Sequence, residues 1–205
     1  MLLNLEHLKN KYNMQVTGIL HIGAHYGEEY DEYERLFGTV PIVMWEASPA
    51  NFNILKSKLS GKNNVTLINK GVGSFECEVP FYIETANTGQ SNSVLKPKVH
   101  AEQYPGIIFD EISKIKVYPL DKWEPGEAYN FINIDIQGFE LHAFMGAKKT
   151  LRNVNYIMTE INRAELYENC ATVEEIDWYL SRFGFERVET DWAGGTWGDG
   201  FYLRK

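Results

Sequence analysis

The sequence is poor in cysteine, in long apolar runs and in dense basic runs. Cys77 and Cys170 are its only cysteines and show neither local pairing nor metal-ligand spacing, which indicates two reduced thiols in a cytoplasmic protein. No apolar stretch approaches the roughly 20 residues of a membrane span. The first residues lack a basic start followed by an apolar segment and a cleavage site, so we expect neither a membrane span nor a signal peptide.

The net charge of the sequence further limits the classes of ligand that we expect it to bind. The sequence has 20 Lys and Arg against 28 Asp and Glu, a formal net charge of −8. A nucleic-acid partner usually requires a basic stripe that displaces counterions, and none is present. We therefore expect no nucleic-acid partner, and a small cationic or neutral polar ligand instead.

What remains is an ordinary globular composition, with 44% hydrophobic and 23% charged residues in a chain of 205. This length suits one domain, so we predict a single domain over residues 1–205. Leu2, Leu5, Leu8 and Tyr12 recur at helical spacing and predict an N-terminal helix within residues 1–16.

The next segments alternate between strand and helix patterns, which indicates a parallel sheet with helices on both faces. Ser48 and Pro49 mark a helix start, with serine as the cap and proline in the first turn. The predicted elements are a strand at 18–23, a helix around 30–37, a strand at 40–47, a helix from 48 and a strand at 65–68.

Residues 75–121 interrupt this order and predict an insertion or lid within the domain. Residues 78–84 alternate weakly, as in an antiparallel strand, and residues 115–120 resemble an edge strand. Between them, residues 85–113 are polar and predict a long loop, which in a compact domain usually binds a ligand or covers a site.

The regular order then resumes and ends in two strands. Their connector of about seven residues is too short for a parallel crossover, so the last strand must be antiparallel. We therefore predict an α/β fold with a seven-stranded, mostly parallel, Rossmann-like sheet and one antiparallel C-terminal strand. The predicted elements are strands at 131–136, 156–161, 185–192 and 200–204, and helices at 140–151 and 173–183.

The first strand ends in a glycine segment, from His21 to Gly27. Ligands of such sheets bind at the carboxyl ends of the strands, where glycine lets the backbone approach closely. Glu46 ends the second strand, at the placement, about 20 residues after the glycines, that hydrogen-bonds a ribose diol. Together these features predict a cofactor that contains adenosine.

The helix turn after the glycines carries Glu28, Glu29, Asp31 and Glu32, which would repel a pyrophosphate. S-adenosylmethionine has no phosphate and carries a net positive charge, so charge favours it over a dinucleotide. We expect His25 to contact the cofactor and His21 to be mostly buried. The predicted cofactor contacts are Gly23, Ala24, His25, Gly27, Glu46, Ala47, Ser48, Gly71 and Val72.

Three segments resemble motifs of the FkbM-type methyltransferases, and the likeness runs from about residue 18 to 202. Residues 21–28, HIGAHYGE, resemble Asp-x-Gly-Ala-Asn-x-Gly-Glu; residues 45–52, WEASPANF, resemble Glu-Pro-x-Pro-x-x-x-Phe. Residues 133–140, NIDIQGFE, resemble Lys-Ile-Asp-Val-Glu-Gly-x-Glu, and Leu120-Asp121 matches the Leu-Asp that precedes this motif.

The resemblance implies a class I methyltransferase fold, S-adenosylmethionine as cofactor, and O-methylation of hydroxyls on sugars, polyketides and other metabolites. Four residues depart from the family pattern. His21 and His25 stand where acid and amide are usual, Asn133 replaces lysine, and Gln137 replaces glutamate.

Methyl transfer to a hydroxyl needs an aligned acceptor and a group that takes its proton. Asp135 and Glu160 end neighbouring predicted strands, so we expect both carboxylates beside the methyl group. One hypothesis makes either residue the general base. A second makes Asp135 and Glu160, with Asn162, ligands of Mg²⁺ or Mn²⁺. Glu140 is expected instead to accept backbone N–H bonds at its helix start.

The acceptor is predicted to lie between the last hairpin and the insertion. The hairpin loop at 192–200 contains tryptophans, glycines and Asp199, a composition that suits a sugar, although a packed turn explains it equally well. The predicted acceptor contacts are Asn162, Trp197, Asp199, Ser91 and Ser93.

The leading interpretation is thus an O-methyltransferase that acts on a sugar, glycan or related metabolite. A nicotinamide-dependent oxidoreductase would fit the fold but conflicts with the acidic turn after the glycines. A cofactor-fold module that has lost catalysis and serves in an assembly is the other alternative, because fold alone does not guarantee function.

Overall fold

A computed structural model of the chain describes residues 1–123 and 128–205. The longest described α-helix has ten residues, and no described helix is long and apolar enough to cross a bilayer. The helices are α1 Leu5–Tyr12, α2 Tyr30–Phe37, α3 Pro49–Lys58, α4 Val99–Gln103, α5 Glu140–Met145 and α6 Val173–Ser181, with 3₁₀ turns at Leu120–Lys122 and Thr150–Arg152. The strands are β1 Ile19–Ile22, β2 Ile42–Trp45, β3 Val65–Ile68, β4 Gly71–Val72, β5 Cys77–Glu84, β6 Phe109–Tyr118, β7 Phe131–Ile134, β8 Tyr156–Asn162, β9 Phe185–Ala193 and β10 Trp197–Arg204.

Seven of these strands form one sheet in the order β3-β2-β1-β7-β8-β10-β9. β1 pairs in parallel with both β2 and β7, so the strand order reverses at β1. β10 pairs antiparallel with both β8 and β9, so it alone runs against the other six strands of this sheet. The structure therefore confirms the predicted seven-stranded, mostly parallel sheet with one antiparallel C-terminal strand.

Each face of the sheet supports its own core, because alternate residues of a strand point to opposite faces. Leu20 and Ile22 pack with α5 and α6 on one face. Ile19 packs with α1, α2 and α3 on the other face. With both faces covered, β1, β2 and β7 are buried throughout, as expected of parallel strands in an α/β fold.

The insertion contains more regular structure than its polar sequence suggests. β4, β5 and β6 form a second sheet, in the order β4-β6-β5. The predicted loop at 85–113 is therefore wrong in part, because it contains α4 and the first residues of β6. Backbone bonds from Lys98 and His100 to the Leu166 carbonyl fasten this segment to the chain after β8. These contacts join residues far apart in sequence, so local composition did not indicate them.

Two predicted boundaries are also wrong. The helix expected over 140–151 ends at Met145, because Gly146 lies so close to Gly73 that a side-chain Cβ would come within 2.0 Å of the Gly73 carbonyl oxygen. The last strand begins at Trp197 rather than at 200, so the hairpin loop is only residues 194–196. Trp197 and Asp199 therefore lie on a strand, not in a loop.

Candidate active site

The turn after β1 brings the backbone of two strands into close contact. Gly23 has φ +84°, and a Cβ there would lie 1.8 Å from the carbonyl oxygen of Asp135. Gly23 and Ala24 both donate their N–H groups to the carbonyl of Trp45. Only glycine fits position 23, so the turn opens a cleft at the carboxyl ends of β1, β2 and β7.

Glu46, directly after β2, fixes this turn through its carboxylate. Its Oε2 accepts the backbone N–H of His25 at 2.8 Å, and its Oε1 accepts that of Ser48 at 2.7 Å. Burial raises the pKa of Glu46 to about 7, against the lowering effect of these hydrogen bonds. Glu46 is therefore a buried carboxyl group that changes charge near neutral pH.

A pocket runs from this carboxylate along the ends of β2 and β4, and we call it the β2-side pocket. Six of the predicted cofactor contacts line it: Gly23, His25, Glu46, Ala47, Gly71 and Val72. The other lining residues include Trp45, Phe81, Ser93, Val94, Val117 and Phe139. The lining combines an acid and polar groups with apolar side chains. Such a lining suits a ribose joined to a flat aromatic base.

Three predicted contacts do not line this pocket, and one of them, Ala24, lines a second, adjoining pocket instead. Gly27 packs behind the turn, where a Cβ would lie 2.7 Å from a methyl group of Leu55 in α3. Ser48 is the N-cap of α3, as predicted, and its hydroxyl accepts the N–H of Asn51. Both residues support the loop from outside the pocket.

A second pocket adjoins the first and is lined by most of the carboxylate side chains of the site. We call it the carboxylate pocket. Glu28, Glu29, Asp135 and Glu160 line it. Gly23, His25, Gln90, Asp135 and Gln137 line both pockets, so the two meet at these residues. A ligand that spans both pockets would therefore pass directly beside Asp135.

Gln137 joins the two predicted catalytic carboxylates. Its side-chain Nε2 donates to Asp135 Oδ1 at 2.7 Å and to Glu160 Oε2 at 2.8 Å. Its Oε1 lies 2.7 Å from the hydroxyl of Tyr167, which donates to it. Gln137 adopts φ +55°, an uncommon conformation for a residue other than glycine. The amide thus holds Asp135 and Glu160 together, as the sequence predicted, through a residue that the sequence did not assign.

The carboxyl groups differ in their electrostatics. Burial, with Asp135 and Glu140 nearby, raises the pKa of Glu160 well above its ordinary value. Glu160 therefore holds its proton to a higher pH than an ordinary carboxyl group does. Glu140 accepts the N–H groups of Ile136 and Gly138, so its predicted role at the helix start agrees with the structure.

The metal hypothesis does not fit this arrangement. Within residues 1–123 and 128–205, no group of three or more His, Cys, Asp or Glu side chains is placed to hold a metal ion. The Gln137 amino group donates to both carboxylates and fills the space that a shared cation would need. Asn162, predicted as a ligand and as an acceptor contact, is fully buried, lines neither pocket and donates its amide N–H to Glu160 Oε1.

Asp199 is also buried away from the pockets. It pairs with Glu160 across the β8–β10 ladder, and its Oδ2 accepts the backbone N–H groups of Leu2 and Leu3. Burial raises its pKa to about 6. The predicted acceptor role of Asp199 is thus replaced in the structure by contact with the N-terminal segment.

The other predicted acceptor residues lie at the walls of the site. Trp197 and Ser91 line the carboxylate pocket, whereas Ser93 lines the β2-side pocket and donates its hydroxyl to the Gln137 carbonyl at 2.7 Å. Trp197 Nε1 donates to the hydroxyl of Tyr104 at 2.8 Å. This bond links the hairpin to the insertion and closes one side of the pocket.

The two histidines of the glycine segment have different surroundings. His25 reaches Glu28 through Nδ1 at 2.7 Å and the carbonyl of Thr88 through Nε2 at 3.0 Å, so it links the turn to the insertion. His21 is 3% exposed, as predicted, and burial lowers its pKa.

Several residues of the site escaped the sequence analysis. Gln137 was visible only as a departure from the family pattern. His100, Tyr104 and Tyr167 carried no signal, because their contribution depends on how the insertion folds back over β8. Phe81 and Val94 of the insertion line the β2-side pocket and carried no signal for the same reason.

The fold and the glycine-acid site at its strand ends define the class I methyltransferase architecture. Two solved S-adenosylmethionine complexes share it. Magnesium protoporphyrin IX methyltransferase from Synechocystis PCC 6803 aligns with TM-score 0.54 and 10% identity over 97% of this chain and 75% of that one. Fibrillarin from Aeropyrum pernix aligns with TM-score 0.51 and 13% identity over 97% and 72%. At these identities the likeness concerns the fold.

The sequence identifies the family within this class. Residues 21–187 match the methyltransferase FkbM domain, so the chain belongs to the FkbM methyltransferase family, as the motifs predicted. It is also 25% identical over 158 residues to the 2-O-methyltransferase NoeI of Sinorhizobium fredii (strain NBRC 101917 / NGR234). That alignment covers 73% of this chain and 65% of NoeI, so the chain spans less than two thirds of this relative.

Proposed function

We propose that the protein is an S-adenosylmethionine-dependent O-methyltransferase that methylates a hydroxyl of a sugar or related metabolite. The observation that carries this proposal is the pair of pockets that meet at Asp135. Family membership supports the cofactor. The hydroxyl acceptor is supported by the description of NoeI as a 2-O-methyltransferase and by the Tyr104–Trp197 wall, since sugars stack on aromatic rings.

The β2-side pocket fits the adenosine end of the cofactor. Glu46 would accept the ribose hydroxyls, while Val72 and Phe139 would flank the base. The methionine chain would pass into the carboxylate pocket at the residues that line both pockets, which include Gly23 and Asp135. His25, at the junction of the pockets, would contact that chain.

When bound, S-adenosylmethionine supplies an electrophilic methyl group, so the protein must align the acceptor oxygen and remove its proton. We assign the base to Asp135, because it lines both pockets, whereas Glu160 lines only the carboxylate pocket and has a pKa raised by burial. Gln137 holds the Asp135 carboxylate toward the junction. The Glu160 carboxyl group shares this hydrogen-bonded cluster and limits the negative charge buried there.

Ligand-induced stabilisation tests the cofactor class. At about 100 times its Kd, S-adenosylhomocysteine should stabilise the protein by about 2.7 kcal/mol, which raises Tm by about 5–10 °C for a chain of this size. NAD should give no shift, and stabilisation by NAD alone would support an oxidoreductase instead. Tight binding of S-adenosylhomocysteine without methyl transfer to any sugar would favour a non-catalytic module.

Chelation tests the proton-transfer scheme. Because a base rather than a metal ion takes the proton, full activity is expected in excess EDTA. Loss of activity in EDTA that Mg²⁺ or Mn²⁺ restores would contradict this scheme.

Glu46→Gln should weaken cofactor binding in a pH-dependent way. The wild-type carboxyl has a pKa of about 7 and accepts ribose hydroxyls best when ionised, so affinity should rise as pH increases from 6 to 8. The amide cannot ionise, so the variant should lose this rise and bind about tenfold more weakly at pH 8. Calorimetric titration with S-adenosylhomocysteine measures both effects.

Glu78→Gln is the matched control, because Glu78 is exposed on β5 and forms an ion pair with Lys114 outside both pockets. It should bind like wild type at each pH. Thermal unfolding without ligand checks that Glu46→Gln still folds. Equal affinity of wild type and Glu46→Gln across the pH range would remove Glu46 from the ribose contact.

A further inference from the structure

Tyr167, in the segment after β8, is 1% exposed and lines the carboxylate pocket. Its hydroxyl oxygen lies 2.7 Å from Gln137 Oε1 and 3.1 Å from the backbone carbonyl oxygen of Ser91. A phenol has one proton to donate. Burial raises the pKa of this phenol well above its usual range, so the proton stays on the oxygen near neutral pH.

The direction of the Tyr167–Gln137 hydrogen bond follows from the other contacts of the glutamine side chain. The Gln137 amino group donates to Asp135 Oδ1 and Glu160 Oε2, so the amide oxygen faces Tyr167. Two oxygen atoms at 2.7 Å attract each other only when a proton lies between them, and an amide oxygen has none. Tyr167 therefore donates to Gln137, and this bond fixes the end of the amide that meets the two carboxyl groups.

The backbone on both sides of Tyr167 is fastened to the insertion. The carbonyl of Leu166 accepts the N–H of Lys98 at 2.8 Å, and the N–H of Glu168 donates to the carbonyl of Lys96 at 2.7 Å. The phenol thus has a fixed position relative to the insertion, which forms one wall of the acceptor site.

Gly138 provides the space in which the Tyr167 ring approaches Gln137. It has φ +95°, and a Cβ at this position would lie 3.2 Å from Cδ2 of Tyr167 and 2.9 Å from Cβ of Cys170. Gln137 itself adopts φ +55°. The glycine of this motif therefore lets the backbone turn that carries the amide pack directly under the phenol.

The amino group of Met1 lines the same pocket and contributes a positive charge. Burial lowers its pKa, but Asp135, Asp199, Glu29 and Glu160 together raise it by more. This amino group offsets part of the negative charge around Asp135. A nearby charge sets no particular orientation of a carboxylate, whereas the hydrogen bond from Gln137 does.

We propose that Tyr167 is a positioning residue for methyl transfer: its hydroxyl holds the Gln137 amide, and this amide in turn aims Asp135 at the acceptor oxygen. Tyr167 itself transfers no proton. This inference rests on the proposed function, in which Asp135 is the base.

Tyr167→Phe removes one oxygen and keeps the ring with its edge-to-face contact to Phe109. Gln137 Oε1 loses its donor, so the amide is free to turn toward solvent in the pocket and release Asp135. We expect kcat to fall about tenfold, with acceptor KM and S-adenosylhomocysteine affinity within about threefold of wild type. The acceptors are the methyl glycosides of glucose, galactose and N-acetylglucosamine, and release of S-adenosylhomocysteine reports turnover.

Tyr179→Phe is the matched control, because the Tyr179 hydroxyl also makes a buried hydrogen bond, to the Phe144 carbonyl at 3.2 Å, outside both pockets. It should leave kcat within about twofold of wild type. In a Gln137→Met background, Tyr167→Phe should change kcat by less than about twofold, because the amide through which it acts is already absent. An equal loss from Tyr167→Phe in both backgrounds overturns the positioning role.

The side-chain amide of Gln137 gives a second readout that needs no acceptor. Its two N–H signals in the nuclear magnetic resonance spectrum are those absent from Gln137→Met, and their exchange with water can be measured. Exchange should be at least about tenfold faster in Tyr167→Phe than in wild type and unchanged in Tyr179→Phe.

The outcomes separate the two proposals. Unchanged amide exchange in Tyr167→Phe overturns the positioning role alone. No turnover of any glycoside by the wild type, although S-adenosylhomocysteine binds, overturns the sugar O-methyltransferase function, and the amide exchange still decides whether Tyr167 holds Gln137.

Discussion

Asp135→Asn is expected to lower kcat by about 10²–10⁴-fold, the usual contribution of a general base, while S-adenosylhomocysteine binds within about threefold of wild type. Asparagine keeps the size of the side chain and an oxygen that accepts the Gln137 bond. It cannot take the proton of the acceptor hydroxyl. Initial rates and calorimetric titration separate the loss of chemistry from any loss of cofactor.

Glu160→Gln is the matched control for this prediction. Burial raises the pKa of Glu160 well above its ordinary value, so replacing it by an uncharged amide should reduce kcat by only about tenfold or less, through poorer positioning. Equal losses in the two variants would contradict the assignment of the base to Asp135. A parallel loss of S-adenosylhomocysteine affinity in Asp135→Asn would instead assign Asp135 to the cofactor.

The sheet could be predicted from sequence because its determinants are local. β1, β2 and β7 are short apolar runs that end in glycine or acid, and the short connector before β10 requires an antiparallel strand. The predicted cofactor contacts could be placed for the same reason, because Gly23 and Glu46 each stand at the end of a strand. Residues at strand ends are placed by the sheet order alone.

The acceptor side could not be predicted in the same way. α4 and β6 are held by long-range contacts such as the bond from His100 to the Leu166 carbonyl, and their local sequence is polar. Asp199 was assigned to the acceptor because it was expected in the hairpin loop, among glycines and tryptophans that suit a sugar. With the strand starting at Trp197, its carboxylate points instead to the N-terminal segment.

Two departures from the family pattern become one feature in the structure. His21 and Asn133 are register partners on β1 and β7, and Tyr33 lies between them. The Asn133 amide donates to the Tyr33 hydroxyl at 2.5 Å, and this hydroxyl lies 3.3 Å from His21 Nδ1. A neutral network thus occupies positions where the family pattern has an acid and a lysine. From sequence alone, the two changes appeared independent.

Gln137, a further departure from the family pattern, has the largest expected effect on stability and activity. Its amino group donates to Asp135 and Glu160 at once, which an ionised glutamate cannot do. Gln137→Glu would restore the residue of the family pattern but place a third carboxylate against two others, with Asn133 rather than lysine at the neighbouring strand position. We expect it to lower the free energy of unfolding by about 1–3 kcal/mol at pH 8 and to reduce kcat at least about tenfold.

The loss of stability should depend on pH with a defined sign. The introduced carboxyl would have a raised pKa in the folded state, because both neighbouring acids disfavour its charge. Its penalty is therefore small near its unfolded pKa of about 4.3 and grows as pH rises toward the folded value. Urea unfolding of wild type and variant at pH 5, 6.5 and 8 measures this difference.

Gln137→Met separates charge from hydrogen bonding, since methionine has a similar length and neither donates nor ionises. It should lose stability by an amount that changes little with pH and should weaken the alignment of Asp135, seen as a lower kcat at unchanged S-adenosylhomocysteine affinity. If Gln137→Glu matches wild type in stability at all three pH values, the amide does not hold the two carboxylates together, and the case for Asp135 as an aligned base loses its structural support.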